Sequence, residues 1–182
     1  MSVTYDHALG GRSVSIWPTV WKFALILAGF KLGYALLTQI TGLAGRVPGL
    51  GLLGFVVSVV LLVVALRSFR ARNGGFITFG QGFAIALVAS VVSTVAAAAL
   101  QAVYLSMAGE EILAAQREAA LAQVRANPAV DAQTLEAMQS FFGAVFTPGG
   151  IFLSTAIAGA IGWAIVALIL AAVVKKPPPI TD

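Results

Sequence analysis

Four long apolar stretches, separated by short polar segments, fill most of this chain. Hydrophobic residues make up 59% of the sequence and charged residues only 10%, so a soluble fold would have too little polar surface to stay in water. Inside lipid, the backbone N–H and C=O groups of each stretch need partners within that stretch, which a helix provides. The sequence therefore predicts an all-α integral membrane protein, a bundle of four transmembrane helices.

We expect the spans at about 16–41, 50–66, 79–107 and 150–174. Each can cross a hydrocarbon core of about 30 Å as a helix, with allowance for a short or a tilted one. The first stretch contains Lys22 and Lys31 and has no small-residue cleavage site, so we expect a retained span rather than a cleaved signal peptide. The whole chain, 1–182, is expected to be a single membrane domain.

The lysines and arginines predict an orientation. One side of the membrane receives Arg12, Arg67, Arg70, Arg72, Lys175 and Lys176, and the other receives Arg46, Arg117 and Arg125. Because basic residues accumulate on the cytoplasmic side, both termini are expected in the cytoplasm. That arrangement needs an even number of spans, in agreement with four.

The longest polar segment, 109–147, is expected outside the cytoplasm as a short helical hairpin. Good helix formers dominate its first half, and Asn127-Pro128 ends that helix. Asp131 is a predicted N-cap for the second helix. One apolar face of this helix contains Leu135, Met138, Phe141 and Phe142. We expect this face to lie on the bundle or the lipid surface; a site for a partner protein is the alternative.

The stretch from Ser68 to Phe83 combines an arginine-rich end of span two, a Gly-Gly turn and a Phe-x-x-Phe-Gly-x-x-Phe start of span three. In this it resembles a family of small four-span bacterial membrane proteins classed as a domain of unknown function. The resemblance covers about residues 15–176, including Thr147-Pro148-Gly149 before span four and Lys175-Lys176 after it. It implies four spans, a helical loop between spans three and four, and the bacterial inner membrane. It implies no mechanism, because the family has no established activity.

Lys31 is the strongest anomaly within the spans. It lies roughly 13 Å along the helix from Lys22, near mid-membrane, where a lysine without partners costs at least about 3 kcal/mol. The functional hypothesis is a site that handles protons or anions. The alternative is a structural lysine that extends toward an interface, or one held by helix-end carbonyls, Gln101 or Tyr104. Since no Asp or Glu lies in any predicted span, an intramembrane carboxylate partner would have to come from another subunit.

Small residues recur at helical spacing in three of the spans. Gly29 and Gly33 form a G-x-x-x-G motif in the first, and similar stripes occur in the third and fourth: Gly82, Ala86, Ser90, Ser93 and Ala97, then Ser154, Ala158 and Gly162. Such stripes let helices approach closely. We expect them to pack inside the bundle rather than between subunits.

A basic cluster is expected at the cytoplasmic side, and it consists of Arg67, Arg70, Arg72, Lys175 and Lys176. Two interpretations remain open. The cluster either sets the topology alone or also contacts anionic lipid headgroups.

Catalytic motifs are missing from the sequence. It contains no cysteine and a single histidine, His7, which excludes cysteine thiolate chemistry and a histidine cluster for zinc or haem. It contains no G-x-S-x-G, H-E-x-x-H or P-loop motif. We therefore expect no enzyme, no catalytic residues, no cofactor, no metal site and no nucleic-acid partner.

Two functional hypotheses follow. The leading one is a non-catalytic accessory or scaffold subunit of a larger membrane complex, in contact with the bilayer and with other membrane subunits or further copies of itself. The alternative is a small homo-oligomeric transporter or channel with Lys31 in its pathway.

Overall fold

A computed structural model describes residues 14–43, 47, 49–107 and 110–177. These residues form six helices, namely α1 (Trp17–Ile40), α2 (Leu50–Arg72), α3 (Phe79–Met107), α4 (Glu110–Arg125), α5 (Ala132–Val145) and α6 (Pro148–Val174). Four of them, α1, α2, α3 and α6, are long and apolar enough to cross a membrane. The predicted all-α fold, with four spans and a helical hairpin between the third and fourth, is confirmed. His7, Arg12 and Arg46 lie outside the described residues.

Two helices are longer than the predicted spans. The apolar run of α2 ends at Leu66, but the helix continues to Arg72, because arginine is itself a good helix former. At the other end of the chain, α6 begins at Pro148, two residues before the predicted start. Proline suits the first turn of a helix, and Thr147 Oγ1 caps that turn by accepting a hydrogen bond from the backbone N–H of Gly150 at 3.0 Å.

The described residues group into two compact units. Unit 1 contains α1, α2, the part of α3 up to Ser93 and the part of α6 from Ala160; unit 2 is 94–159. The expectation of a single domain stays a prediction. The core of unit 1 is apolar and includes Val20, Leu27, Leu62, Leu66, Phe69 and Ile85, all of them fully buried.

Helices α1 and α2 approach closely at one glycine. A Cβ on Gly54 would lie 2.8 Å from Cε1 of Tyr34, a distance that a side chain at this position would not tolerate. The Tyr34 hydroxyl donates a hydrogen bond to the carbonyl oxygen of Leu50 at 2.5 Å. The tyrosine therefore ties the two helices together near the start of α2.

The turn after α2 explains the motif that carries the family resemblance. Gly74 and Gly75 have φ angles of 66° and 86°, which favour glycine because a Cβ is disfavoured there. Arg70 Nε donates to the carbonyl oxygen of Gly75 at 2.9 Å, and Asn73 Nδ2 donates to that of Phe76 at 3.0 Å. The arginine and asparagine thus fix the turn that the two glycines permit.

Residues 77–81 join this turn to α3 and to the end of α6. Thr78 and Gln81 form a reciprocal capping box: the N–H of Thr78 donates to Gln81 Oε1 at 3.0 Å, and the N–H of Gln81 donates to Thr78 Oγ1 at 3.2 Å. Ile77, almost fully buried, makes an isolated antiparallel bridge with Lys176. Each of these two residues donates its N–H to the other's carbonyl oxygen at 2.9 Å. The bridge fastens the end of α6 to the start of α3.

Unit 2 contains the helical hairpin of α4 and α5. Asp131 caps α5 by accepting a hydrogen bond from the N–H of Thr134 at 2.7 Å, so the predicted N-cap is confirmed. Leu113 and Leu121 on α4 are buried. Arg117 of α4 donates to the carbonyl oxygen of Gln139 on α5 at 3.2 Å.

Candidate functional site

The side chain of Lys31 is held on the face of α3 by two serines. Its Nζ donates to Ser93 Oγ at 3.0 Å and lies 3.4 Å from the carbonyl oxygen of Ser90. The Ser93 hydroxyl in turn donates to the same Ser90 carbonyl at 2.9 Å. The spacing of three residues places both serines on one face of the helix. The ammonium therefore meets a preformed pair of oxygen acceptors.

An aromatic ring on α6 also lies beside Lys31. The Nζ lies 4.5 Å from the centroid of the Trp163 ring, within the range of a cation–π interaction, for which tryptophan is the best partner. Trp163 also stacks on Phe55 of α2, with ring centroids 5.7 Å apart. The lysine thus sits where all four helices of unit 1 contribute a side chain.

The serine and tryptophan groups that contact Lys31 are neutral, and they stabilise its ammonium through hydrogen bonds and the ring face. Ser90 offers its carbonyl oxygen to Lys31, whereas its own Oγ is buried and has no hydrogen-bond partner within the part of the chain that the structure describes. Gln101 Oε1, a predicted acceptor for Lys31, is likewise buried and without a partner there. A positive charge localised inside a span can bind an anion or fix the packing of the helices around it.

Sequence reasoning identified Lys31 but missed Trp163. It considered Ser90 and Ser93 only as small residues that let helices pack closely, and not as hydrogen-bond partners of Lys31. One signal for Trp163 is present in the sequence: it lies in the middle of a span, whereas Trp17 and Trp21 lie at a span end, where interfacial tryptophans are common.

The small-residue stripes behave differently on different helices. On α3, Gly82, Ala86, Ser90 and Ser93 are buried, and a Cβ on Gly82 would lie 3.4 Å from the Cα of Ala171. This stripe packs internally, as expected. On α1, by contrast, Gly29 and Gly33 are exposed, and a Cβ on either would meet nothing within 4 Å.

The same division appears along α6. A Cβ on Gly159 would lie 2.6 Å from Cγ2 of Thr94, so this glycine is a packing position. Ser154, Ala158 and Gly162 are exposed. The expectation of internal packing therefore fails for α1 and for this face of α6.

The basic cluster separates into two groups. Arg70 is half-buried and bonded to the turn, and Arg72, although exposed, donates from its guanidinium to Thr19 Oγ1 on α1. Arg67, Lys175 and Lys176 are exposed. The second group is accessible to a ligand.

The apolar face of α5 is also divided. Leu135, Met138 and Phe142 are half-buried, whereas Phe141 is 56% exposed. Met138 and Phe142 line a cleft of about 370 Å³ together with Ala120 and Val124 of α4. The hairpin thus covers part of this face itself, and its role as a partner face stays a prediction. Within the described ranges, no three His, Cys, Asp or Glu residues are grouped so that they could hold a metal ion.

Comparison with known proteins gives one match. The model of a family described as "Protein of unknown function (DUF4199)" matches residues 22–176. No curated protein and no solved structure matches the chain. The matched range contains most of α1 and all of the other five helices, together with Lys31, Ser90, Ser93 and Trp163.

Proposed function

The chain belongs to the DUF4199 family, and because that family has no known function we propose, from the residues themselves, a role for the protein. It is a non-catalytic accessory or scaffold subunit of a larger membrane complex, and it works through association of its helices. We place it in the bacterial inner membrane, as the family resemblance implies, and we place both termini in the cytoplasm on the distribution of lysine and arginine.

The open glycine face of α1 carries this proposal. Leu25, Gly29, Gly33 and Leu37 follow one another at intervals of four residues, which puts them on a single face. Leu25 is 72% exposed and Leu37 58% exposed, and both glycines are exposed with free space above them. The two leucines border a shallow groove over the glycines. Since lipid is as apolar as leucine, helices in a membrane associate by such close packing rather than by a hydrophobic driving force.

Two further surfaces support association. The exposed Ser154, Ala158 and Gly162 on α6 form a second small-residue face. Outside the spans, Phe141 presents an exposed ring, and large aromatic side chains are common anchors in protein interfaces.

The experiment is gentle extraction of the tagged protein in mild detergent, followed by mass spectrometry of what remains bound. We expect stoichiometric partner subunits with the wild type and their loss with the double variant G29L/G33L. Because neither glycine packs against its own chain, this variant should keep its monomer fold and thermal stability. The matched control is G51L, at an exposed glycine of α2 that also meets nothing within 4 Å. A wild-type monomer without companions, or partners retained by G29L/G33L, would contradict the proposal.

Lys31 supports a second candidate function, a small homo-oligomeric transporter or channel with this residue in its pathway. The observation that favours it is a half-buried ammonium inside a span, bonded to Ser93 Oγ and to the carbonyl oxygen of Ser90. We expect a self-associated assembly without other subunits, and anion flux from proteoliposomes that K31L abolishes. Unchanged flux in K31L would remove the residue from any mechanism.

A further inference from the structure

Basic residues converge at one end of unit 1. The guanidinium of Arg72, at the end of α2, donates to Thr19 Oγ1 in the first turn of α1. The backbone bridge between Ile77 and Lys176 brings the end of α6 to the start of α3. The starts of α1 and α3 and the ends of α2 and α6 therefore lie together. We call the basic residues of this region the basic end; they are Arg67, Arg70, Arg72, Lys175 and Lys176.

The charge of unit 1 is entirely positive where the structure describes it. Its described residues, 14–43, 47, 49–93 and 160–177, contain no Asp or Glu. The described acidic residues all belong to unit 2, on α4, on α5 or at the cap of α5: Glu110, Glu111, Glu118, Asp131 and Glu136. No carboxylate of unit 1 within those ranges neutralises the basic end, which leaves a surface complementary to an anion.

The five residues do not share one task. Arg70 Nε is bonded to the carbonyl oxygen of Gly75 and Arg72 is bonded to Thr19, so both hold the turn and the helix ends in place. Arg67, Lys175 and Lys176 are exposed; the backbone bridge fixes the chain at Lys176, whose Nζ lies 6.0 Å from the centroid of the Phe76 ring. These three side chains are the ones positioned to contact a ligand.

Two tryptophans mark the depth of the basic end in the membrane. Trp17 is 53% exposed and Trp21 is 54% exposed, and they flank Thr19, the residue that Arg72 contacts. Exposed tryptophans at a span end lie at the level of the lipid headgroups. The anion that such a surface meets at that level is a lipid phosphate.

We propose that the basic end is a binding site for anionic phospholipids, with Arg67, Lys175 and Lys176 contacting the phosphate headgroup. Arg70 and Arg72 are positioning residues, which hold the four helix ends together beneath the site. Because an exposed lysine or arginine near a membrane surface raises affinity for anionic lipid by about fivefold, three of them suffice for clear selection of one lipid class.

The test uses the full chain in nanodiscs of equimolar phosphatidylglycerol and phosphatidylcholine, from which native mass spectrometry releases the protein with its bound lipids. We expect wild-type protein to retain phosphatidylglycerol at least fivefold over phosphatidylcholine. The variant R67Q/K175Q/K176Q should bring this ratio close to one. It keeps Arg70 and Arg72, so the turn and the orientation should be preserved.

The control R117Q/R125Q removes two positive charges from α4 and should leave the ratio unchanged. A wild-type ratio near one, a triple variant with the wild-type ratio, or an equal fall in the control would each overturn the proposal.

Salt provides a measurement that needs no variant: raising ionic strength from about 0.1 M to about 1 M shortens the screening length about threefold and should lower the wild-type ratio. A ratio that is independent of salt would also overturn it.

Discussion

Lys31 Nζ lies 3.0 Å from Ser93 Oγ, although the two residues are 62 positions apart in the sequence. This bond joins the middle of the first span to the middle of the third. An intramembrane lysine is costly without partners. The bond to Ser93 offsets part of this cost and favours one packing arrangement of α1 against α3.

Removing the Ser93 hydroxyl should therefore destabilise the bundle. We expect S93A to lower the free energy of unfolding by about 1 kcal/mol, because the ammonium loses an acceptor and hydrogen bonds between membrane helices have this magnitude. The measurement is unfolding in mixed detergent micelles, followed by circular dichroism.

Two other serines serve as controls for S93A. Ser58 is buried, and its hydroxyl donates to the carbonyl oxygen of Gly54 in its own helix at 2.8 Å, so S58A should have a smaller effect. Ser90 Oγ has no partner among the described residues, and removing an unsatisfied buried hydroxyl is expected to be neutral or stabilising. If S93A were no worse than S90A, the bond between Lys31 and Ser93 would contribute nothing.

Trp163 should be coupled energetically to Lys31. We expect the free energy of unfolding to decrease in the order wild type, W163F, W163L. Phenylalanine keeps a weaker π face and the stack on Phe55, while leucine keeps neither. In a double-mutant cycle of K31M with W163L, we expect a coupling energy of about 1–2 kcal/mol. A coupling energy near zero would show that Trp163 acts through packing alone.

Two glycines on α6 should respond oppositely to alanine. A Cβ on Gly159 would lie 2.6 Å from Thr94 Cγ2, and a β-branched side chain has few rotamers in which to move aside. G159A should therefore lower the free energy of unfolding of the monomer by about 1–3 kcal/mol. A Cβ on Gly162 would meet nothing within 4 Å, so G162A should be neutral or stabilising through helix propensity, by up to about 1 kcal/mol. Equal effects of the two variants on the thermal midpoint of the monomer would contradict this assignment.

Asp131 should make the start of α5 sensitive to acid. The backbone N–H of Thr134, followed by its side chain, donates hydrogen bonds that lower the pKa of the Asp131 carboxyl. Since the pKa is lower in the folded helix than in the unfolded chain, the carboxylate stabilises α5 above its unfolded pKa, about 3.9. That stabilisation is lost as the pH falls through the lower, folded pKa.

Hydrogen exchange of the amides in the first turn of α5 measures the effect of Asp131. Protection in the wild type should decrease below about pH 4, and D131A should exchange faster at neutral pH as well. D131N keeps a capping oxygen that does not titrate, so the protection that it confers should not change over the same interval. A wild type and a D131N variant with identical pH profiles would exclude the carboxylate as the cause.

The local features of this fold were predictable from sequence, because each depends on residues that are near one another in the chain. The spans follow from runs of apolar residues, the Asp131 cap from a polar residue before a helix, and the turn at Gly74 and Gly75 from adjacent glycines. Even the length of α2 was underestimated for a local reason: its last six residues are helical without being apolar throughout.

The partners of Lys31 were not predictable in the same way. The spans are apolar on all sides, so hydrophobic periodicity does not mark an inward face, and small-residue stripes mark it on α3 but not on α1. Whether Lys31 faces Ser93 or another polar residue depends on the rotation of α1 against α3, and no local pattern records that rotation. For the same reason, the sequence did not distinguish Gly29, which is exposed on α1, from Gly159, which is packed on α6.

The bridge between Ile77 and Lys176 also imposes an order on biosynthesis. Ile77 leaves the ribosome long before Lys176, so the N–H and C=O that form the bridge stay without these partners while α3, the hairpin and α6 are still being made. The start of the third span is fastened only when the last helix has been inserted. A nascent protein in which α6 has not yet been inserted therefore differs from the finished one at a specific pair of backbone groups, the N–H and C=O of Ile77.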